Sequence, residues 1–329
     1  MKKAITIVLS AMMLGLCLTG CGGNDKNKIR LNEVTHSIFY APQYLAMEMG
    51  YFEEEGLEIE LTNGGGADKS MAALLSNGAD IGLMGPEAAI YVYLEGKTDY
   101  VKVFGQVTKR DGAFLVSRNE EPDFDFTGLE GKSVIAGRKG GVPFMTLQYV
   151  FNQKGYFEGE NITFDTSTSF NNMAGAFLGG TDDYVALFEP TASDVVRQGK
   201  GHIVASIGEY GGEVPYTCYM AKQSYIEKNP DIIEKFLRAV YRAQTYIETA
   251  DVDFIAEKLL PHFAGFSKED VKTSVLSYRR IDAWMKNPVM TEESFNKLQT
   301  IMENAGELET RVEFSKLIDN SFAQKIMQE

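Results

Sequence analysis

The stretch from Val34 to Leu61, VTHSIFYAPQYLAMEMGYFEEEGLEIEL, decides how the rest of the chain reads. A short apolar strand, Ile29 to Val34, runs into a polar and aromatic loop, Thr35 to Tyr40. Pro42 then opens a helix whose apolar positions Leu45, Met49 and Phe52 follow i, i+4, i+7 spacing. Proline suits the first helical turn because its missing N–H would be unpaired there anyway. Gly50 and Gly56 mark the exit, and Leu57, Ile59 and Leu61 alternate as a second strand. The unit is βαβ, with a ligand-sized loop at the end of its first strand.

The same unit is written twice. GYFEGENITFDTS, Gly155 to Ser167, repeats GYFEEEGLEIELT, Gly50 to Thr62, and each follows a helix opened by a proline, Pro143 and Pro42. DYVALFEPTA, Asp183 to Ala192, answers ADIGLMGPEA, Ala79 to Ala88, so that Pro190 falls on Pro86. Gly155 follows Gly50 by 105 positions and Pro190 follows Pro86 by 104. Two matches in one order at nearly one offset predict two related α/β lobes.

Residues 1–20 stand outside this pattern. Lys2 and Lys3 precede an apolar run, Ala4 to Leu18, too short to span a bilayer comfortably, and the run ends in Leu18-Thr19-Gly20-Cys21. Small residues directly before a cysteine resemble the lipobox of bacterial lipoproteins. That resemblance implies an export signal removed before a lipidated Cys21, which anchors the mature chain to the cell membrane on its extracytoplasmic face. The polar residues 21–28 then read as a flexible tether. Residues 29–117 read as the first lobe, 118–215 as the second, and 216–329 as a return to the first with added helices.

Composition narrows the partners. The chain is 44% apolar and 11% aromatic, ordinary for a globular protein, and about 300 mature residues suit two domains. Without Lys2 and Lys3, 30 basic side chains face 46 acidic ones, a net charge of −16, which argues against nucleic acid and anionic membrane surfaces. Cys17 leaves with the signal and Cys21 is the anchor, so Cys218 stands alone without a disulfide partner. Nothing in the pattern calls for assembly, and the expectation is a monomer.

Further along, Ala67, Met71, Leu74 and Leu75 form a helical stripe, Asp80 to Met84 a strand, and Gly85-Pro86-Glu87 the start of another helix. Glu87 suits either the positive end of that helix or a ligand. Val101 to Ser117 reads as two strand pieces around a bend at Thr108 to Gly112. Gly128 to Ser133 mimics a phosphate-binding loop but fails it: two residues separate the glycines where four are needed, and Lys132-Ser133 precedes a strand. Gly137-Arg138-Lys139-Gly140-Gly141, between a strand and the Pro143 helix, is instead a glycine turn onto a helix N-terminus, suited to ligand anions or carbonyls. In the second lobe, Glu189-Pro190-Thr191 ends the strand Tyr184 to Phe188. An acid there is costly unless paired or wet, so Glu189 is either a ligand carboxylate or a cap for its own helix. From Ser224 onward the pattern is helical, with Trp284 as core.

Catalytic chemistry is missing from the sequence. His36, His202 and His262 lack metal-ligand spacing, there is no cysteine cluster, and no G-x-S-x-G is present. Neither a metal nor a cofactor is expected. His36 differs from the other two in standing at the carboxyl end of the first strand, where open α/β sheets place ligands.

Taken together, the Cys21 signal, THSIFYAPQY from Thr35, GYFEEEGLEI from Gly50, GADIGLMGPE from Gly78 and LEGKSVIAGRKGG from Leu129 resemble the solute-binding proteins of ABC importers. The branch most like this chain serves aliphatic sulfonates, nitrate and thiamine-precursor pyrimidines. The resemblance implies the two-lobed type II periplasmic-binding-protein fold, closing by a hinge on a small molecule that is handed to a membrane permease. Carried onto this chain, it makes His36, Phe39, Tyr40, Gly85, Glu87, Arg138, Gly140, Glu189 and Tyr216 the ligand-binding candidates. Pyrimidine-synthesising relatives share the fold with a cysteine-rich motif that this chain lacks, so no enzyme is expected.

The ligand class follows from side-chain chemistry. Glu189 with Phe39 and Tyr40 favours a planar, N–H-bearing heterocycle such as a pyrimidine or flavin, whereas Arg138 on a glycine turn favours an anion. An aliphatic sulfonate carrier and a ligand sensor without transport remain the alternatives.

Overall fold

The computed structural model describes residues 27–329. The export segment 1–20, Cys21 and residues 22–26 of the expected tether lie outside the described residues. In chain order the first part is β1 (Lys28–Glu33), a 3-10 turn (Ile38–Tyr40), α1 (Ala41–Glu48), α2 (Tyr51–Glu54), β2 (Glu58–Asn63), α3 (Ala67–Leu75), β3 (Ile81–Met84), α4 (Glu87–Leu94) and β4 (Val101–Thr108). The helix expected from Pro42 to Phe52 is broken at Gly50, whose φ of +71° costs a glycine nothing. Lys28, expected in the tether, is the first residue of β1 and pairs with Glu58.

The middle part holds β5 (Ala113–Ser117), β6 (Lys132–Ile135), α5 (Val142–Gln153), β7 (Ile162–Asp165), α6 (Met173–Gly179), β8 (Tyr184–Phe188), α7 (Thr191–Arg197), β9 (His202–Ser206) and α8 (Ile207–Gly211). The last part is β10 (Thr217–Lys222) and seven helices: α9 (Gln223–Lys228), α10 (Pro230–Thr249), α11 (Val252–Leu259), α12 (Lys268–Arg280), α13 (Glu292–Asn304), α14 (Phe314–Leu317) and α15 (Ser321–Ile326).

The strands form two five-stranded sheets, ordered β2-β1-β3-β10-β4 and β7-β6-β8-β5-β9. In the first, β1 runs parallel to β2 and β3, and β10 is antiparallel to β3 and β4. In the second, β6 runs parallel to β7 and β8, and β5 is antiparallel to β8 and β9. The two orders match position for position, with β10 and β5 each taking the antiparallel place. The repeat read from the sequence therefore extends to topology.

One boundary moves. Ala113 to Ser117, placed in the first lobe from sequence, pairs in the second sheet. The chain crosses at the bend itself, where the Asp111 carboxylate accepts the Ala113 N–H at 2.7 Å and turns the backbone between β4 and β5. It returns between α8 and β10, through Val214 and Tyr216, whose N–H groups donate to Lys109 and Thr108 carbonyls.

Hydrophobic burial holds the C-terminal helices in place. α10 turns Ile233, Phe236, Leu237 and Val240 to the core, all fully buried, each worth about 1.5–3 kcal/mol relative to exposure. α12 begins with a capping box, Ser267 and Asp270 exchanging hydrogen bonds with each other's backbone. α13 packs against both α4 and α5, so one helix touches elements of both sheets. Trp284 is buried, as expected, and its indole N–H donates to the Phe39 carbonyl at 2.8 Å.

Candidate ligand site between the two sheets

Parallel strands in an open α/β sheet leave a crevice at their carboxyl ends, where loops diverge and helix N-termini point inward. The two sheets here face each other across such a crevice, and a cavity of about 230 Å³ occupies it. Its walls come from the ends of six parallel strands and one crossing. Val34, Thr35 and Tyr40 follow β1, Gly65 to Lys69 follow β2, and Gly85 with Glu87 follow β3. From the second sheet, Arg138 and Gly141 to Pro143 follow β6, Ser169 and Phe170 follow β7, and Phe188 ends β8. Tyr216 and Thr217, on the returning crossing, close the floor.

Five of the residues expected to bind ligand line this cavity: Tyr40, Gly85, Glu87, Arg138 and Tyr216. Glu87 is the first residue of α4 and is 2% exposed. Its Oε1 accepts the N–H of Val142, the first residue of α5 on the opposite sheet, at 3.2 Å. Its Oε2 is buried with no hydrogen-bond partner among the described residues. Burial pushes its carboxyl up to about 7, held from rising further by the amides of Val142, Glu87 and Ala88 and by the charge of Arg138. Gly85 has no side chain for a reason: a Cβ there would stand 2.0 Å from Glu87 Oε2.

Arg138 lies at the mouth, half-exposed, its Nε 3.8 Å from Asp68 Oδ1 of the first sheet. Tyr91, one turn along α4, donates its hydroxyl to the Gly140 carbonyl at 2.9 Å, a second tie between the sheets. On the floor, the Tyr216 hydroxyl and Asp111 Oδ2 lie against each other without a hydrogen bond of ordinary geometry. Burial raises the Tyr216 phenol and pushes the Asp111 carboxyl up to about 8, against the Ala113 amide and Tyr216, which pull it down.

The other four expected residues stand off this cavity. His36 is engaged on both ring nitrogens, Nδ1 to Glu33 Oε1 at 2.6 Å and Nε2 to the His262 carbonyl at 2.8 Å, and it stacks on Phe263. Buried Glu33 also accepts from Gln43 and Tyr44, so this cluster orients the loop after β1. The hydrogen bond to Glu33 raises the His36 pKa above its ordinary value, more than burial lowers it. Phe39 is fully buried behind the wall, its ring edge-on to Tyr216 at 5.5 Å. Gly140 is fixed by φ +77° and by the Tyr91 contact. Glu189 turns back on α7, where its two oxygens accept the Ser193 N–H at 2.9 Å and hydroxyl at 2.7 Å. It thereby satisfies a first-turn amide of its own helix from the residue before the N-cap Pro190. Its backbone still joins the sheets, the Glu189 carbonyl accepting the Ser37 hydroxyl at 2.7 Å. His36 and Glu189 line a smaller neighbouring cleft of about 170 Å³ that shares Thr35, Phe170 and Phe188 with the main one.

Sequence reasoning missed Phe170, Phe188 and the glycine turn Gly64 to Gly66. The phenylalanines look like core in a linear pattern. Gly65 with φ +69° and Gly66 with φ +155° carried a usable signal: three consecutive glycines between a strand and a helix.

This two-sheet α/β architecture is that of the periplasmic binding proteins. It aligns with the periplasmic nitrate-binding protein NrtA of Synechocystis PCC 6803 at a TM-score of 0.74, 15% identity, covering 92% of this chain and 88% of that one. The periplasmic aliphatic sulphonate-binding protein SsuA of Escherichia coli aligns at a TM-score of 0.71, 18% identity, covering 92% and 99%. At sequence level, residues 38–250 match the NMT1/THI5-like family, and the chain belongs to it. The proposed binding protein YtlA of Bacillus subtilis (strain 168) is 41% identical over 322 residues, 98% of this chain and 96% of YtlA. The resemblance read from the sequence motifs thus agrees with the family match. Among the described residues, no helix is long and apolar enough to cross a membrane.

Proposed function

We propose that this chain is a solute-binding protein of an ABC importer, anchored outside the cytoplasmic membrane through Cys21, which captures a small heteroaromatic compound and delivers it as a monomer to the permease. The observation that carries the reading is the cavity itself, enclosed by strand ends from both sheets and walled by the rings of Tyr40, Phe170, Phe188 and Tyr216. Aromatic faces favour a planar solute, and Gly65, Gly66 and Gly141 in the wall let it approach the backbone closely. A cavity of about 230 Å³ between the sheets suits a small planar compound. Pyrimidines and flavins are the two compound classes of this kind. The protein acts by holding and releasing solute, with lobe closure presenting the surface that the permease reads. Residues 29–112 with 216–329, and 113–215, are the two bodies that move about the crossings.

A thermal-shift panel of aminopyrimidines, riboflavin, alkanesulfonates and nitrate tests this on the detergent-solubilised full chain. Ligand at about a hundred times its Kd adds roughly 2.7 kcal/mol to stability. A shift with an aminopyrimidine or riboflavin, lost in Phe188→Ala, supports the reading. An alkanesulfonate or nitrate as the tight ligand would overturn it.

A further inference from the structure

We propose that Glu87 sets the charge selectivity of the cavity: its carboxylate occupies the place where an anionic solute would bind, so the protein accepts neutral or cationic solutes and bars anions. The inference rests on the reading that this cavity holds the solute.

A helix N-terminus offers unpaired N–H groups and the positive end of the helix dipole, which makes it a ready anion site. α5, twelve residues long, points such an end at the cavity through Gly141, Val142 and Pro143. That end is already filled, because the Val142 N–H donates to Glu87 Oε1 at 3.2 Å. The same carboxylate lies near the amides at the start of its own helix, which favour its charged form, while its hydrogen bond crosses to the other sheet. The glycine at position 85 suits this placement: a Cβ there would stand 2.0 Å from Oε2, and the carboxylate would have to move.

Two cations line the cavity, Lys69 and Arg138, but both are exposed, so solvent screens them from the buried carboxylate. Arg138, the cation of the loop before α5, is half-exposed at the mouth and shares its position with Asp68. A sulfonate or nitrate seated near the Val142 amide would face the carboxylate at contact distance, a repulsion worth a factor of ten or more in affinity. The glycine turn that looked, in sequence, like an anion receptor is one, but its anion is internal.

The test is calorimetric titration of the detergent-solubilised full chain with ethanesulfonate and with nitrate at about pH 8.5, where the Glu87 carboxyl, raised to about 7, is ionised. Wild type, Glu87→Ala and Glu87→Gln are compared, with circular dichroism to confirm folding. Glu87→Ala frees the Val142 N–H and removes the charge; it is expected to bind ethanesulfonate at least tenfold more tightly than wild type. Glu87→Gln keeps the shape and the acceptor for Val142 while removing the charge, so it also gains and reports even if the alanine variant is unstable. Wild-type affinity for either anion within threefold of the variants, or folded variants that gain nothing, overturns the proposal. A parallel titration of wild type with 4-aminopyrimidine separates the two readings. No binding there counts against the heteroaromatic solute, while the anion comparison still decides the role of Glu87.

Discussion

Replacing Glu87 by Gln should change how the stability of the unliganded protein depends on pH. Burial raises the Glu87 carboxyl from 4.5 to about 7, so the folded state binds this proton more tightly than the unfolded chain does. The sign follows: the group costs nothing below about pH 4.5, and stability falls as pH rises from there to about 7, then stays level. A carboxyl moved from 4.5 to about 7, at 1.36 kcal/mol for each tenfold change in proton affinity, costs the charged folded state about 3 kcal/mol. Gln keeps an oxygen for the Val142 N–H but has no proton to lose. Urea unfolding of both proteins at steps between pH 4.5 and 8 isolates the effect, because every other group titrates in both. The variant should gain about 3 kcal/mol on wild type across this range, or roughly 6 °C in Tm. Parallel profiles, agreeing within about 0.5 kcal/mol, would show that the carboxylate is as well solvated folded as unfolded, and the burial argument would fail.

Other consequences can be measured independently. The His36 imidazole should titrate above 6.5 by NMR, moving down in Glu33→Gln; its stabilising contribution is full below about 6.5 and is lost as pH climbs past the raised value. A midpoint at or below 6.5 would contradict the hydrogen bond to Glu33. Gly85→Ala should destabilise by about 1–3 kcal/mol in wild type and by much less beside Glu87→Ala, because the clash is with the carboxylate. Equal costs in both backgrounds would place the strain elsewhere. Ser37→Ala leaves the Glu189 carbonyl without its buried donor, worth about 1–3 kcal/mol against the closed arrangement, so interlobe distances from paired spin labels should broaden. An unchanged distribution would show that this contact does not hold the lobes.

Much of the fold was legible because its signals are local. Pro42, Pro86, Pro143 and Pro190 stand within or directly before the first turns of α1, α4, α5 and α7, and alternation or apolar runs located the strands to within about two residues. Tyr40, Gly85, Glu87, Arg138 and Tyr216 could be nominated because the carboxyl end of a parallel strand is a place a linear pattern identifies. What sequence could not decide was the partner of each side chain. GPE at 85–87 and EPT at 189–191 look equivalent, each an acid beside a proline at a helix start. Glu189, before its proline, finds Ser193 four residues on and closes upon its own helix. Glu87, after its proline, reaches an amide 55 residues away on the other sheet. The same ambiguity hid Phe170 and Phe188, apolar residues indistinguishable from core until two sheets met around them.

The sequence by itself thus determined the elements, the repeat, the charge and the ends of strands at which a ligand would be held. The tertiary structure alone decided that the chain crosses between sheets at Asp111, before β5, and that Glu87, not Glu189, faces the cavity. The reason is physical: a helix or strand is specified by neighbours a few residues away, whereas a buried carboxylate is specified by whichever donors the folded chain brings within about 3 Å of it.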